Sequence, residues 1–245
     1  MRDNKSSMKR RDLIAGLALA SVEVGAQTAP PEAAESLYIP KPQLVEDRRF
    51  LHDFMDEFAF VELVTVSPTL RITHIPVWLD RAAGAYGTIH GHVSRQNPQH
   101  AAFDGKQTGV VVFLGPHGYI SPTWYAKGGN TVPTWNFASV HATGKLRPTE
   151  GKALEAMLGR LVAKFESYEG TSYDFAKLDE AYKTAMMNGI VGFELEIELL
   201  EGKFKLGQDR SPGDREGLLK NLGKGKAPRT LLELTASFYE RQSKG

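Results

Sequence analysis

Apolar positions switch between two periods along the first half of the chain. From Asp47 onward, Phe50, Leu51, Phe54, Met55 and Phe58 recur at the spacing of one helix face, and Asp47 stands where an N-cap belongs. Phe60–Val66 then becomes a β-rich run that ends at Ser67-Pro68-Thr69, a turn signal. Leu70–Leu79 returns as a second strand, so the two predict a hairpin. Tyr86–Val93 predicts a third strand, with Ile89 and Val93 on one face and His90 and His92 on the other. Gly109–Leu114 is continuously apolar and short, the mark of a buried strand. Thr131–Leu146 is extended and polar-aromatic, which predicts two strands joined at a bend.

The second half starts helical. Leu154, Met157, Leu158, Leu161, Val162 and Phe165 form a 3.6-residue stripe, and Phe175, Leu178, Ala181, Tyr182 and Ala185 form a shorter one. Ile190–Leu200 is the clearest strand: Phe193, Leu195, Ile197 and Leu199 alternate with Glu194, Glu196 and Glu198. Two short helical patterns follow, Leu218–Leu222 and Leu231–Phe238, split by Gly223-Lys-Gly-Lys-Ala-Pro228. Strands first, helices later and one late returning strand predict an α+β fold with a small antiparallel barrel and added helices. No strand–GxGxxG–helix unit, GxxxxGK[ST] or HExxH is present, and a doubly wound parallel sheet does not fit. The expected division is a leader and linker over 1–35, a barrel domain over 36–210 and a C-terminal helical appendage over 211–245.

Charge and composition narrow the function. Of 245 residues, 30 are Lys or Arg and 29 are Asp or Glu, but residues 1–26 hold five of the bases and three of the acids. The remainder therefore carries 25 bases against 26 acids, net −1, which argues against attachment to nucleic acid by bulk charge. The absence of cysteine excludes disulfides, thiolate nucleophiles and Cys-ligated metal sites. Residues 1–35 have the order of an export signal: Lys9-Arg10-Arg11, the short apolar run Leu13–Ala20, then small residues and Pro30-Pro31. Arg10-Arg11-Asp12-Leu13-Ile14 resembles a twin-arginine (Tat) signal, which predicts a periplasmic or secreted protein exported already folded, with cleavage after Ala20 or Ala26. Without a working leader the protein would be cytoplasmic. The apolar run is too short to span a bilayer, so no stable membrane anchor is expected.

Chemistry concentrates in three places. The segment from Gly115 to Asn136 reads Gly-Pro-His-Gly-Tyr-Ile-Ser-Pro-Thr-Trp-Tyr, then Lys127, then Val132-Pro-Thr-Trp-Asn136. Pro and Gly make such a segment a defined loop. Trp124, Tyr125 and Trp135 offer flat apolar faces, while Ser121, Thr123, Lys127, Thr134 and Asn136 offer donors, the combination a planar heteroaromatic ligand needs. The second place is His92-Val-Ser94-Arg95-Gln96-Asn97-Pro98, where Arg95 with Ser94 and a following helix N-terminus suits a phosphate, or where Asn97 simply caps a turn. The third is Gly202–Arg210, with Lys205 and Arg210 as cations for an anionic ligand. His90-Gly-His92 is a weak metal signal without carboxylate partners, and no metal site is predicted. No Ser/His/Asp triad is legible.

Six motifs occur in order: Tyr38-Ile-Pro-Lys41, Thr73-His-Ile-Pro76, Gly91-His-Val-Ser-Arg-Gln-Asn-Pro98, Gly115–Tyr125, Val132-Pro-Thr-Trp-Asn136 and Lys205-Leu-Gly-Gln-Asp-Arg210. Together they resemble the PaiB family of FMN-binding proteins, often labelled negative transcriptional regulators, over residues 37–222. The resemblance implies a split β-barrel of the flavin-reductase and pyridoxamine-phosphate-oxidase type, a homodimer with FMN at the subunit interface. It further implies that Arg95, Lys127 or Lys205 meets the phosphate and that Ser94, Ser121 and Thr134 donate hydrogen bonds. Trp124, Tyr125 and Trp135 would surround the isoalloxazine, with Asn136 at its polar edge, and Asn97, Gln208 and Arg210 complete the cofactor-binding set. The expected function is a redox-related flavoprotein, with FMN-dependent oxidoreductase as the enzyme class if it is one; the alternatives are a DNA-associated regulator of the PaiB type and a haem-binding split barrel. The usual Lys-Leu-Ser-Gln-Asn-Arg of the family reads here with Gly207 and Asp209, and its usual Thr-Trp-Asn-Tyr ends here in Phe137.

Overall fold

The computed structural model describes residues 37–66, 68–126, 131–224 and 229–243; the predicted leader and Lys127 lie outside the described residues. After β1 (Leu44–Val45), α1 (Arg48–Glu57) starts at Asp47, whose carboxylate accepts the N–H of Phe50 at 3.0 Å. That bond is the first cause of a carboxyl pKa below the usual Asp range. Leu51, Phe54 and Met55 face the core as the spacing predicts.

β2 (Phe60–Thr65) and β3 (Arg71–Pro76) form the expected hairpin. The predicted second strand, however, breaks at Val77. Its N–H goes back to Ala59 O at 2.9 Å, its side chain is buried, and β4 (Trp78–Asp80) leaves to pair with β5 (Thr88–Ser94) instead. The long elements follow: β6 (Thr108–Ile120), β7 (Thr134–Thr149), α2 (Gly151–Glu169), α3 (Glu180–Asn188), β8 (Ile190–Lys205), α4 (Pro212–Leu222) and α5 (Arg229–Gln242). Among the described residues all eight strands join one antiparallel sheet in the order β3-β2-β6-β7-β8-β5-β4, with β1 on β8.

Two bulges shape the sheet. β6 runs through Gly115-Pro116, where a loop was expected, with a register shift between Leu114 and His117. A Cβ on Gly115 would stand 2.5 Å from the Phe54 ring, so only glycine lets the strand pass α1 this closely. β7 is a single strand of 16 residues rather than two. Opposite it, Thr143 pairs with Leu199 and Gly144 with Ile197, which makes Glu198 an extra residue in β8. The inserted residue inverts the alternation, so Leu199, expected inside with Ile197, faces out.

The sheet curls until β3 approaches β5, and side chains close the gap. Gln99, in the 3-10 turn Pro98–Ala102 after β5, is 1% exposed and donates Nε2 to Leu63 O at 2.9 Å, Thr65 Oγ1 at 3.2 Å and Arg71 O at 3.3 Å. Thr73 Oγ1 donates to Gln99 Oε1, and Asn97 Nδ2 donates to Thr73 Oγ1 at 2.9 Å.

α4 and α5, in the stretch expected as an appendage, pack into the main core. Leu218, Leu222, Leu231 and Phe238 are buried in the same cluster as Phe113, Phe193 and Phe204, and Phe238 stacks on Phe204 with centroids 5.8 Å apart. Burial of each such side chain contributes ~1.5–3 kcal/mol. α2 covers a second, smaller cluster through Leu154, Met157 and Leu158, against Phe175, Met187 and Ile190.

Candidate functional site

The ends of β6, β7 and β8 assemble an aromatic and basic corner. Antiparallel pairing sets Tyr119 opposite Trp135 and His117 opposite Phe137, with Phe137 opposite Lys205 on its other side. Trp135 is half-exposed, meets Tyr119 edge-on at 6.4 Å and donates its indole N–H to His117 Nδ1 at 3.1 Å. That bond leaves the His117 proton to Nε2 when the ring is neutral. Lys205 Nζ donates to Thr134 Oγ1 at 2.6 Å, which fixes a cation at the start of β7. Asn136, opposite Gly118 on the inward face of β7, is 2% exposed, and its Nδ2 has no hydrogen-bond partner. A buried amide donor without an acceptor is costly, and a ligand acceptor is a natural partner for it.

The remaining predicted residues make local contacts around turns and core. Ser121 caps the 3-10 turn Pro122–Trp124 by accepting the Thr123 N–H. Trp124 packs against the core, and Tyr125 is buried in it with the Arg210 guanidinium 4.6 Å from its ring centre. Burial raises the Tyr125 phenol above its ordinary pKa. Both rings pack where α4 and the loop before it meet the core. Gln208 ties a turn together: Nε2 donates to Pro42 O at 2.9 Å while Oε1 accepts the Leu206 N–H at 2.8 Å. At Gly207, φ is +79°, and an added Cβ would lie 3.2 Å from Leu218 Cδ1 and 3.3 Å from Tyr239 Oη. The turn is thus one that glycine adopts freely and serine does not. Asp209 is exposed, and Phe137 faces the Lys203 ammonium at 5.6 Å.

The Ser94–Asn97 group lies elsewhere. Ser94 pairs with Ile190 at the start of β8, whereas Lys205 ends it. Sixteen residues at ~3.3 Å each put roughly 50 Å of strand between the two ends. Asn97 caps its turn by accepting the Gln99 N–H at 3.0 Å, and Arg95 donates Nε to Asn188 O at 2.6 Å and Nη2 to Ile190 O at 2.7 Å. The seam beside Asn97 holds a cation that the sequence reading missed. Arg71 shares its strand face with Thr73, and its buried Nε has no partner. Only its pairing across the seam marks it; no local motif does.

A family model described as "Putative FMN-binding domain" matches residues 37–199. The Bacillus subtilis (strain 168) protein called Protease synthase and sporulation protein PAI 2 is 32% identical over 209 residues, 84% of this chain and 100% of that one. The chain belongs to the PaiB-type FMN-binding family. An uncharacterized Emericella nidulans protein, AN0679, is 30% identical over 194 residues, 64% of this chain and 77% of its own. Among solved structures, the flavocytochrome Anf3 from Azotobacter vinelandii superposes with a TM-score of 0.51 at 14% identity, over 71% of this chain and 76% of that one. That likeness is one of fold, the split barrel.

The residues present suit the cofactor of a PaiB-type protein. Trp135 and Tyr119 supply half-exposed aromatic faces, Asn136 Nδ2 an unmatched buried donor, and Lys205 and Arg71 positive charge. FMN is the cofactor, and when bound it supplies one- or two-electron redox chemistry while the protein orients it.

Proposed function

We propose that two copies of this chain form a two-fold dimer with FMN between them, acting as a redox flavoprotein. The Tyr119–Trp135–Lys205 corner of one copy meets the Arg71–Thr73–Ser94 seam of the other. The observation behind this is the register. In one copy Lys205 aligns through Phe137 with His117, while Arg71 aligns through Thr65 with Gly109. Eight residues of β6 separate those rows, roughly 25 Å at ~3.3 Å per residue. A two-fold axis brings opposite ends of equivalent strands together and makes two identical sites. The outward face of the sheet supports it, for Phe60, Val64, Ile72, Val110, Val112 and Leu114 present a half-exposed apolar surface there.

In such a site Lys205 and Arg71 would hold the phosphate, Trp135 would lie against the ring system, and Asn136 Nδ2 would donate to a ring acceptor. The Lys9-Arg10-Arg11 leader supports export of the folded, loaded protein by the Tat route. The net charge of −1 beyond residue 26 favours the redox reading over a DNA-held regulator. Light scattering with simultaneous absorbance on the purified protein tests the proposal. The expected result is twice the chain mass with two FMN per particle, bleached by NADH or NADPH without oxygen. A monomer that retains FMN stoichiometrically would overturn the shared site, and a Soret band would replace the flavin with haem.

A further inference from the structure

A cavity of about 500 Å³ opens between the first turn of α2, the inner side of α3 and the start of β8, away from the aromatic corner. Its walls divide by chemistry. On one side α2 begins without a side-chain cap: Glu150 caps with its backbone alone, and Leu154 N is the first to reach back, to Glu150 O at 3.3 Å. The N–H groups ahead of it point forward with a partial positive charge. A Cβ on Gly151, where φ is +56°, would meet nothing within 4 Å, so the approach to this turn is open. Thr149 lines the same wall, 7% exposed, with no partner for its Oγ1. Lys152 and Arg95 add positive charge.

The other side is acidic. Lys183 is 4% exposed, and its ammonium donates to Glu155 at 2.5 Å and Glu180 at 2.7 Å. Two carboxylates on one ammonium leave a negative charge unmatched. Lys152 and Glu155 are three residues apart on α2, so the basic and acidic halves are neighbours on one helix face. Met187, Ile190 and Leu154 form an apolar floor.

We propose that this cavity binds a free α-amino acid with an apolar side chain. The carboxylate takes the α2 N–H groups, Thr149 Oγ1 and Lys152; the ammonium takes the spare charge of Glu155 and Glu180; the side chain lies on Met187 and Ile190. Three cations (Arg95, Lys152 and Lys183) face three carboxylates (Glu150, Glu155 and Glu180) around the walls, a balance that suits a zwitterion better than a phosphate or a polyamine. The site does not depend on the flavin or on a dimer.

Calorimetric titration of the full chain with L-leucine and L-phenylalanine tests this. One saturable site per chain is expected, with 4-methylpentanoate (no ammonium) and L-leucinamide (no carboxylate) each at least ~tenfold weaker. Lys152→Ala and Glu180→Gln change exposed side chains and should each weaken binding by about fivefold or more, with the flavin spectrum unchanged. No saturable heat from either amino acid at millimolar concentration would overturn the proposal. So would either analogue binding as well as leucine, or affinities that neither substitution moves.

Discussion

Gln99 closes the barrel, and its removal measures how much of the fold depends on that seam. Gln99→Ala deletes three bonds donated by Nε2, to Leu63 O, Thr65 Oγ1 and Arg71 O, and one accepted from Thr73 Oγ1. At ~1 kcal/mol net for each bond, the loss is about 4 kcal/mol, and the buried polar groups left behind keep it from being smaller. That is a large share of the ~5–15 kcal/mol typical of a whole domain. The assay is urea unfolding followed by far-UV circular dichroism, without added FMN, because a ligand bound only by the folded state would mask part of the change. Thr73→Val serves as the control and should cost about 1–2 kcal/mol, since it breaks only the bonds to Gln99 and Asn97. A Gln99→Ala loss under about 1 kcal/mol would show that the ladder alone holds the barrel and would refute the reasoning.

Three further outcomes are expected. Asn136→Leu should weaken FMN binding by about tenfold in a fluorescence titration while leaving the flavin-free protein as stable or more so, because it removes a buried donor that has no partner. Gly207→Ser, which restores the family's usual residue, should cost about 1–2 kcal/mol in the same unfolding assay, since φ is +79° there; a gain in stability would contradict the turn geometry. Burial holds His90, His92 and His141 below the ordinary value of 6.5, with Glu201 and Glu62 opposing it at His141. Their contribution is complete above pH ~6.5 and is lost as pH falls through the lower folded values, so stability should drop from pH ~6.5 toward 5, less steeply in His141→Gln.

Periodicity was enough for α1, the β2–β3 hairpin and the α2 stripe, where one face alone meets the core. It failed where a single backbone event resets the pattern. Val77 looks like one more strand residue, but its N–H bond to Ala59 redirects the chain to β5. Glu198 looks like a regular outward residue, but as a bulge it inverts everything after it. Gly115-Pro116 carries turn chemistry, but pairing with β7 on both sides of the bulge makes it strand. That the Thr134–Trp135 run gathers aromatic rings and a cation, with Lys205 on Thr134, was legible because aromatic and donor residues cluster locally. Arg95, Tyr125 and Gln208 have the right chemistry, yet tertiary packing gives them to carbonyls and core. Gln99 and Arg71 were invisible, since only curling of the sheet brings β3 to the turn after β5.

Complementation between two crippled variants tests the shared flavin site most directly. Lys205→Ala and Arg71→Ala each remove one end of the site and should each bind FMN at least ~tenfold more weakly than the parent. Unfolded together and refolded as a mixture, they should regain parent-like affinity in about one quarter of the sites, because half the dimers are mixed and each mixed dimer has one intact site. A mixture whose FMN titration is only the average of the two variants would contradict the account and place the cofactor within a single copy.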